Sequence, residues 1–297
     1  MKVGHISEDQ LRSYSSAFSR SVFSDIADFS DFSHLDWLIS HYDEALEDNA
    51  SYMDYLSYIY SAISKSYRCE YVFKNEIINQ LLLKKYGTKH TVVFNEFRVG
   101  DSIVDMAMMN GESKAFEIKT TLDSPKRLGK QMNDYKKVFD KCYIVVDAEE
   151  CEYYSRCIDE NTGIVSLSYV RGRVVLEEYR PAKKHKMIDA HCLMKCLRTS
   201  EYRNIVRSYF GMLPDVSGFE MYDACQELLA KIPNETLDTM FLAEVKKRKS
   251  ATGRLKSFPK EIRQIMLAMN LSKNKQEILI TNLNKPISRK YLCTTRI

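Results

Sequence analysis

Two carboxylates and one ammonium group stand close together in the middle of the sequence. Glu117 follows Asp105 by twelve residues, and Lys119 stands two residues beyond Glu117. Residues i and i+2 of a strand share a face, so Glu117 and Lys119 are predicted to point the same way, with Phe116 and Ile118 pointing into the core. Two acids and a cation on one sheet face suit a divalent metal held by hard oxygen ligands, which can activate water for phosphodiester hydrolysis.

Whether Asp105 joins Glu117 depends on the turn between their strands. The segments SIVDMAMM and SKAFEIKT are predicted strands, separated by the Asn-Gly-Glu of residues 110–112. A three-residue loop pairs Asp105 with Glu117, whereas a two-residue turn would pair Asp105 with Phe116 and place it on the wrong face. We therefore predict a three-residue, bulged hairpin with glycine in the left-handed conformation.

A bound cation would explain why two acids are placed together. Neighbouring carboxylates repel each other and raise their pKa values, and Mg²⁺ bound by Asp105 and Glu117 would keep both ionised. Lys119 would stabilise the negative charge that develops on a phosphate, or help to orient the nucleophile. The alternative is an exposed ion pair between Glu117 and Lys119, worth roughly a few tenths of a kcal/mol.

The surrounding pattern predicts an α/β core. A helix is expected over residues 71–86, ended by Gly87, and TVVFNEF forms the strand that follows. Ser124 and Pro125 should open a helix that runs to about residue 138, and the parallel crossover that follows should return CYIVVDA to the same sheet. A last hairpin over residues 163–179 extends or flanks that sheet.

Helical patterns are predicted on both sides of this core. Beyond Pro181 they cover residues 189–210, 219–231, 235–248, 259–269 and 273–284. The predicted division is an acidic helical N-terminal segment over residues 1–66, a catalytic core over residues 67–180 and a basic α-helical C-terminal domain over residues 181–297.

The charge along the chain predicts an anionic partner. Residues 1–66 hold four Lys/Arg against eleven Asp/Glu, whereas residues 180–297 hold twenty-three against eleven. Such a basic region is typical of contact with phosphates, although a solvated helical surface explains it about as well. The candidate nucleic-acid-binding residues are Lys126, Arg127, Lys130, Lys246, Lys247, Arg248 and Lys249.

The composition argues against a membrane-spanning or secreted protein. No apolar run is long enough to span a bilayer and the polar first residues lack a secretory h-region, so a cytoplasmic protein with no membrane partner is expected. The eight cysteines are scattered and expected to be reduced, and neither they nor the six histidines complete a zinc-site or Ser-His pattern.

The order of elements resembles that of the PD-(D/E)xK nucleases, in the branch that includes RecB-like and Holliday-junction-resolvase-like domains. The matching elements are the helix FKNEII with Glu76, the strand SIVD with Asp105, the strand FEIKT with Glu117 and Lys119, and the helix KQMNDY. The resemblance covers about residues 70–150. It implies a restriction-endonuclease-like mixed β-sheet core flanked by helices.

The same resemblance implies further site residues. Gln131 and Tyr135, four residues apart on the KQMNDY helix, would assist catalysis, and ordinary helix surface is the alternative for both. Glu76 would be a third metal-site residue by its position on the FKNEII helix, with Glu96 on the first strand as a rival. Val104 stands where the eponymous motif has proline.

The resemblance extends to bacterial proteins known mainly as predicted nucleases with a helical C-terminal extension. It implies a Mg²⁺- or Mn²⁺-dependent nuclease that hydrolyses DNA, in defence against foreign DNA or in DNA processing. The competing hypothesis is a non-catalytic protein on a nuclease fold that binds nucleic acid or a partner. DNA or RNA, single strand or duplex, and internal or terminal cleavage stay open; double-strand cleavage would favour a two-fold homodimer.

Overall fold

The computed structural model describes residues 6–43, 49–121, 123–185, 187–248 and 251–287. The chain forms two compact units. Unit 1 comprises residues 1–81, 169–175 and 254–297, and unit 2 comprises residues 82–168 and 176–253. This division differs from the three consecutive segments that the sequence predicts, because the last helices group with the N-terminal segment and the helices before them group with most of the sheet.

Among the described residues, helices lie before and after the strands, which occupy the middle of the sequence. The α-helices of the described residues are α1 (Glu8–Ser16), α2 (Arg20–Phe29), α3 (Ser33–Tyr42), α4 (Tyr52–Ser66), α5 (Glu70–Glu76), α6 (Leu128–Lys136), α7 (Cys151–Cys157), α8 (Ala190–Cys196), α9 (Thr199–Phe210), α10 (Met221–Ala230), α11 (Asn234–Lys246), α12 (Arg263–Met269) and α13 (Lys273–Leu283). The strands are β1 (Val92–Val99), β2 (Ser102–Met109), β3 (Ser113–Ile118), β4 (Lys141–Asp147), β5 (Gly163–Val170) and β6 (Arg173–Arg180). A π-helix over Ile77–Tyr86 continues α5, and 3₁₀ turns lie at Pro125–Arg127, Ala148–Glu150, Ala251–Ser257 and Lys260–Ile262.

Unit 1 is a helical assembly built from both ends of the chain. Serine side chains cap α1, α2 and α4, and Ser51 and Asp54 form a reciprocal capping box at the start of α4. The C-terminal α13 packs on α2, where Asn282 Nδ2 donates to the carbonyl oxygen of Ile26 at 2.8 Å. The predicted helical character of the N-terminal segment is confirmed for its described residues.

The helix predicted over residues 71–86 changes its hydrogen-bond pattern after Glu76. From Ile77 onward it is a π-helix, and the Gly87 N–H donates to the Leu82 carbonyl, five residues back, at 2.7 Å. Gly87 has φ +74°, the left-handed conformation that glycine adopts without a Cβ penalty. The predicted terminator is therefore confirmed, whereas the sequence pattern did not reveal the wider helix.

A mixed sheet organises unit 2, with the tip of its last hairpin, residues 169–175, counted in unit 1. Within the described part of the chain it has six strands in the order β1-β2-β3-β4-β5-β6. The first three strands are antiparallel neighbours, and β4 lies parallel to both β3 and β5. The protein is thus α/β, the predicted crossover through α6 is confirmed, and the last hairpin extends the sheet.

Helices α6 and α8 to α11 share one hydrophobic core with the strands of unit 2. Its buried members include Val104, Ala115, Ile144, Met132, Tyr135, Leu193, Ile205, Cys225 and Phe241. The single helix predicted over residues 189–210 is wrong: Leu197 and Arg198 have extended backbones with ψ 146° and 159°. The break is stabilised because the Arg198 N–H donates to Glu201 Oε2 at 2.7 Å at the start of α9.

The environment of Asp238 on α11 should make the free energy of unfolding depend on pH. Burial, and after it the charge of Asp140, raise its pKa to about 6 against the opposing charge of Lys184, while Oδ1 has no hydrogen-bond partner among the described residues. A raised pKa in the folded state favours folding below the unfolded value of 3.8, and this contribution is lost as pH rises through about 6. Asp238→Asn should therefore raise the free energy of unfolding at pH 8, on the order of 1 kcal/mol after allowance for solvent screening.

Urea unfolding of wild type and Asp238→Asn at pH 8 and near pH 3.5 checks this sign. The difference between the two proteins should become small at the lower pH, where the wild-type carboxyl is mostly protonated in both states. A variant that is less stable than wild type at pH 8 would contradict the assignment of Asp238 as a destabilising buried charge.

No helix among the described residues is both long and apolar enough to cross a membrane.

Candidate active site

The β2–β3 hairpin brings Asp105 opposite Glu117. Its pairs run from Met109 with Ser113 to Met106 with Phe116, and the same register places Asp105 against Glu117. The loop of three residues contains Gly111 at φ +98°. The predicted three-residue loop, its glycine and the register that follows from it are confirmed.

Glu117 is the centre of the site. Its side chain is buried, with the residue 2% exposed, and both carboxylate oxygens accept hydrogen bonds from other parts of unit 2. Oε1 accepts from Lys119 Nζ at 2.8 Å and Gln131 Nε2 at 2.5 Å, and Tyr135 Oη lies 2.7 Å from Oε2. Lys119 is itself 9% exposed, so the alternative of an exposed ion pair is wrong.

Asp105 joins this group from the neighbouring strand. Its Oδ2 accepts the backbone N–H of Ile118 at 2.8 Å, which ties the carboxylate to the residue between Glu117 and Lys119. Its negative charge also raises the pKa of the Tyr135 phenol. Two carboxylates are therefore present on adjacent strands, and that of Glu117 is paired with the ammonium group of Lys119.

Helix α6 covers the face that carries Glu117. Leu128, Met132 and Tyr135 are buried along the helix, and Ser102 Oγ donates to Asp134 Oδ2 at 2.6 Å, which fastens α6 to β2. Gln131 and Tyr135 lie one turn apart and both reach Glu117. Ordinary helix surface, the alternative considered for this pair, does not describe their buried contacts.

Tyr135 stays protonated at the centre of these contacts. Burial raises the pKa of its hydroxyl, and the charges of Glu117 and Asp105 raise it further. The oxygen lies 2.7 Å from Glu117 Oε2 and 2.8 Å from the Ile103 carbonyl, and a phenol has one hydrogen to donate to either of them. Tyr135 therefore orients Glu117 and does not supply a base.

The side chains of the site provide only some of the ligands that a divalent cation requires. Among the described residues, no group of three or more His, Cys, Asp or Glu side chains is arranged to hold a metal ion. Asp105 and Glu117 provide two hard oxygen donors, and Mg²⁺ is commonly held by one or two carboxylates with water and substrate phosphates in its remaining positions. The two acids fit that open form of magnesium site and do not form a closed cage.

Glu76 has a different environment, within unit 1. It is the last residue of α5, and its buried carboxylate accepts from Tyr60 Oη at 2.8 Å and Asn79 Nδ2 at 3.2 Å on Oε1, and from Gln80 Nε2 at 2.6 Å on Oε2. Neutral donors thus satisfy this acid within its own unit. Its role as a metal-site residue stays a prediction.

Glu96, the rival of Glu76, lies on the same line across the sheet as Asp105. The β1–β2 ladder passes from Asn95 with Met106 to Phe97 with Val104, so Glu96 and Asp105 occupy the position between these pairs. Glu96 is exposed and has φ +55°, an unusual backbone for a non-glycine strand residue. No signal in the sequence indicated this distortion.

The candidate nucleic-acid-binding residues fall into two groups. Lys126, Arg127 and Lys130 are exposed at the start of α6, whereas Lys249 lies outside the described residues. Lys246 is half-buried, and exposed Lys247 pairs with Glu244. The first group therefore offers cations that a phosphate can reach.

Arg248 must be removed from the set of phosphate-contacting residues. Its guanidinium is buried and forms two hydrogen bonds to the Glu201 carboxylate, at 2.7 and 2.6 Å, and one to the Cys196 carbonyl at 2.8 Å. It also lies over the rings of Phe94 and Phe97 on β1. The partner stands 47 residues away in sequence, so the local run of cations could not reveal it.

These observations define an α/β protein whose six described strands form a mixed sheet flanked by helices. The model of a family described as bacteriophage P4 protein cII matches residues 64–284, which include Asp105, Glu117, Lys119, Gln131 and Tyr135. The chain belongs to the bacteriophage P4 protein cII family.

Two individual proteins are similar to this chain. Protein cII of Enterobacteria phage P4 is 27% identical over 179 residues, which cover 58% of this chain and 65% of that protein, so the match spans slightly less than two thirds of the relative. A solved protein of unknown function from Silicibacter pomeroyi is 18% identical, over 40% of this chain and 80% of that one, with a TM-score of 0.28. A TM-score this low supports no conclusion about fold or function.

Proposed function

We propose that this protein is a metal-dependent nuclease of the PD-(D/E)xK type, with a restriction-endonuclease-like core, which hydrolyses phosphodiester bonds of DNA in the cytoplasm. The observation that carries the proposal is the buried Glu117 carboxylate, held between Lys119, Gln131 and Tyr135 with Asp105 on the adjacent strand. These are the residues to which the resemblance to the PD-(D/E)xK nucleases assigns catalytic roles. They come together from two strands and a helix.

The energetics of burial support a functional role for this group. Desolvating a carboxylate and an ammonium costs several kcal/mol per ion, and an apolar pair of similar volume is often as stable or more stable. Glu117 and Lys119 therefore stabilise the fold no more than a pair of hydrophobic residues would. Asp105 adds a further negative charge, which favours a role in binding a cation or a reacting group.

Each residue has a definite task in the proposed reaction. Asp105 and Glu117 would hold Mg²⁺ or Mn²⁺, which when bound polarises a phosphate and lowers the pKa of a water. Gln131 and Tyr135 fix the two oxygens of Glu117, and Lys119 carries the positive charge beside them. Lys119 would stabilise negative charge on the phosphate as the nucleophile attacks.

Cations at the start of α6 suggest how the backbone of the substrate is bound. Lys126, Arg127 and Lys130 are exposed within the turn and helix that also carry Gln131. Contacts of this kind bind phosphates without reading the bases. They support binding of a nucleic acid near the site and leave its sequence undefined.

One observation favours a second function, a non-catalytic protein that binds nucleic acid or a partner on the same fold. The Glu117 oxygens already accept bonds from Lys119, Gln131 and Tyr135, so a cation must compete with Lys119 for Oε1. If a cation never displaces Lys119 from Glu117, the hydrogen bonds around Glu117 only stabilise the fold.

A panel of substrates tests the proposal. Wild-type protein is incubated with circular single-stranded DNA, supercoiled DNA, linear duplex DNA and RNA, each with Mg²⁺, Mn²⁺ or EDTA. Cleavage of at least one DNA substrate with Mg²⁺ or Mn²⁺, and none with EDTA, is expected. Tight binding with no cleavage of any substrate would favour the non-catalytic alternative.

A further inference from the structure

Unit 2 exposes an apolar surface where α9 and α10 meet. Six side chains between the end of α9 and the first turn of α10 form it, and we call it the α9–α10 surface: Tyr209, Phe210, Met212, Val216, Phe219 and Tyr222. Phe219 is 98% exposed and Met212 72%, and the others lie between 37% and 42%. Full exposure of a phenylalanine has no role in the folding of a monomer.

The area of this surface is at the upper end of the range for a monomer. A large apolar or aromatic side chain has roughly 150–250 Å² to bury, so these exposures amount to on the order of 600 Å². The largest apolar patch of a typical monomer is about 300–600 Å², and a stable interface buries about 800 Å² per partner. The α9–α10 surface could supply most of the apolar part of such an interface.

The loop that carries this surface is fixed in place. Gly211 ends α9 at φ +84°, and Leu213 packs against the core of unit 2. The Ser217 N–H and hydroxyl both donate to Glu220 Oε2, at 3.2 and 2.7 Å, ahead of α10. Because the backbone is already ordered, binding through these side chains would cost little conformational entropy.

The surface carries charges of both signs at its edge. Arg207 is exposed on α9 and Arg203, one turn before it, is half-buried, while Glu201 of that helix is buried against Arg248. Exposed Asp215 and Asp223 lie in the loop and on α10. A two-fold interface must be self-complementary, and an apolar centre edged by both signs of charge meets that condition.

We propose that the α9–α10 surface is the interface of a homodimer. In a two-fold arrangement, Phe219 and Met212 of each copy cover the apolar surface of the other, and Arg207 of each copy faces the aspartates of its partner. A single-stranded nucleic acid stacked on the rings is less favoured, because Asp215, Glu220 and Asp223 would repel its phosphates. The proposal does not depend on nuclease activity.

Sedimentation equilibrium over a wide range of concentration tests the interface. Wild type should be a dimer that dissociates on dilution, and Phe219→Asp should raise the dimer Kd by at least about 30-fold, as an interface hot spot does. The matched control is Phe29→Asp, because Phe29 is 77% exposed on α2 of unit 1 and should leave the Kd unchanged. Thermal unfolding of both variants checks that they fold.

A charge-swap experiment tests the two-fold arrangement. Arg207→Glu should weaken self-association, as should Asp215→Lys with Asp223→Lys, and an equal mixture of the two variants should form a heterodimer. Wild type that stays monomeric at all concentrations, or Phe219→Asp that dimerises as wild type does, would overturn the proposal. So would a labelled single-stranded oligonucleotide bound by monomeric wild type and lost in Phe219→Asp.

Discussion

Asp105→Asn is expected to lower the rate of DNA cleavage by about 10²- to 10³-fold, the range typical of losing one electrostatic group in an active site. The change removes the negative charge that would help to hold the divalent cation. An asparagine Oδ1 can still accept the Ile118 N–H that Asp105 Oδ2 accepts at 2.8 Å. The free energy of unfolding should therefore change by no more than about 1 kcal/mol.

Asp134→Asn is the matched control for that variant. Asp134 also lies in unit 2, and its carboxylate accepts hydrogen bonds from Ser102 Oγ at 2.6 Å and Lys137 Nζ at 3.5 Å, neither of which belongs to the Glu117 group. Its substitution should leave the single-turnover rate within a factor of a few of wild type. Equal losses of rate in the two variants would mean that Asp105 has no special role in catalysis.

Arg248→Met is expected to destabilise the protein by about 3–5 kcal/mol, because it leaves the buried Glu201 carboxylate without its cation. Burial raises the pKa of Glu201, but the hydrogen bonds and charge of Arg248, together with those of Arg198, bring it below its usual value of 4.5. The wild-type pair therefore stabilises the fold above about pH 4.5, and this contribution is lost as pH falls through the folded value. In Arg248→Met the pKa of Glu201 should rise, so the loss of stability should be largest near neutral pH and shrink on acidification.

Two controls isolate the buried pair in urea unfolding. Lys247→Met removes a neighbouring cation whose side chain is 65% exposed beside Glu244, and its effect should stay below about 1 kcal/mol. Arg248→Met combined with Glu201→Leu should recover much of the lost stability, since no unpaired charge remains. If Arg248→Met is as stable as wild type but binds DNA more weakly, Arg248 contacts phosphates after all.

The site could be predicted where it depends on local periodicity. A strand has a period of two, so a three-residue loop at residues 110–112 was enough to place Asp105 opposite Glu117. A helix brings residues four apart together, so Gln131 and Tyr135 were expected on one face and both contact Glu117. These features need no knowledge of the remaining chain.

Contacts between distant segments could not be predicted in the same way. The pairing of Arg248 with Glu201, and the packing of α13 on α2, join segments that no local pattern connects. The break at Leu197 and Arg198 carries no proline or glycine, and the periodicity of the flanking residues continues across it. The π-helix after Glu76 likewise follows an ordinary amphipathic sequence.

Membership of the bacteriophage P4 protein cII family does not by itself establish the proposed nuclease activity. The family match covers residues 64–284, and it includes the whole β2, β3 and α6 group. The proposed activity rests on the geometry of that group and on its resemblance to the PD-(D/E)xK nucleases. Sequences of further family members can therefore test the proposed activity directly, through the residues that they carry at the positions of Asp105, Glu117 and Lys119.

The most direct test of the central claim is single-turnover DNA cleavage by wild type and Lys119→Met with Mg²⁺ or Mn²⁺, with DNA binding measured on the same samples. We expect metal-dependent cleavage by wild type, loss of cleavage in Lys119→Met, and similar DNA affinity for both proteins under conditions in which both are folded. Equal cleavage by the two proteins, or wild-type cleavage that persists in EDTA, would show that any nuclease activity arises elsewhere than at the Asp105, Glu117 and Lys119 site.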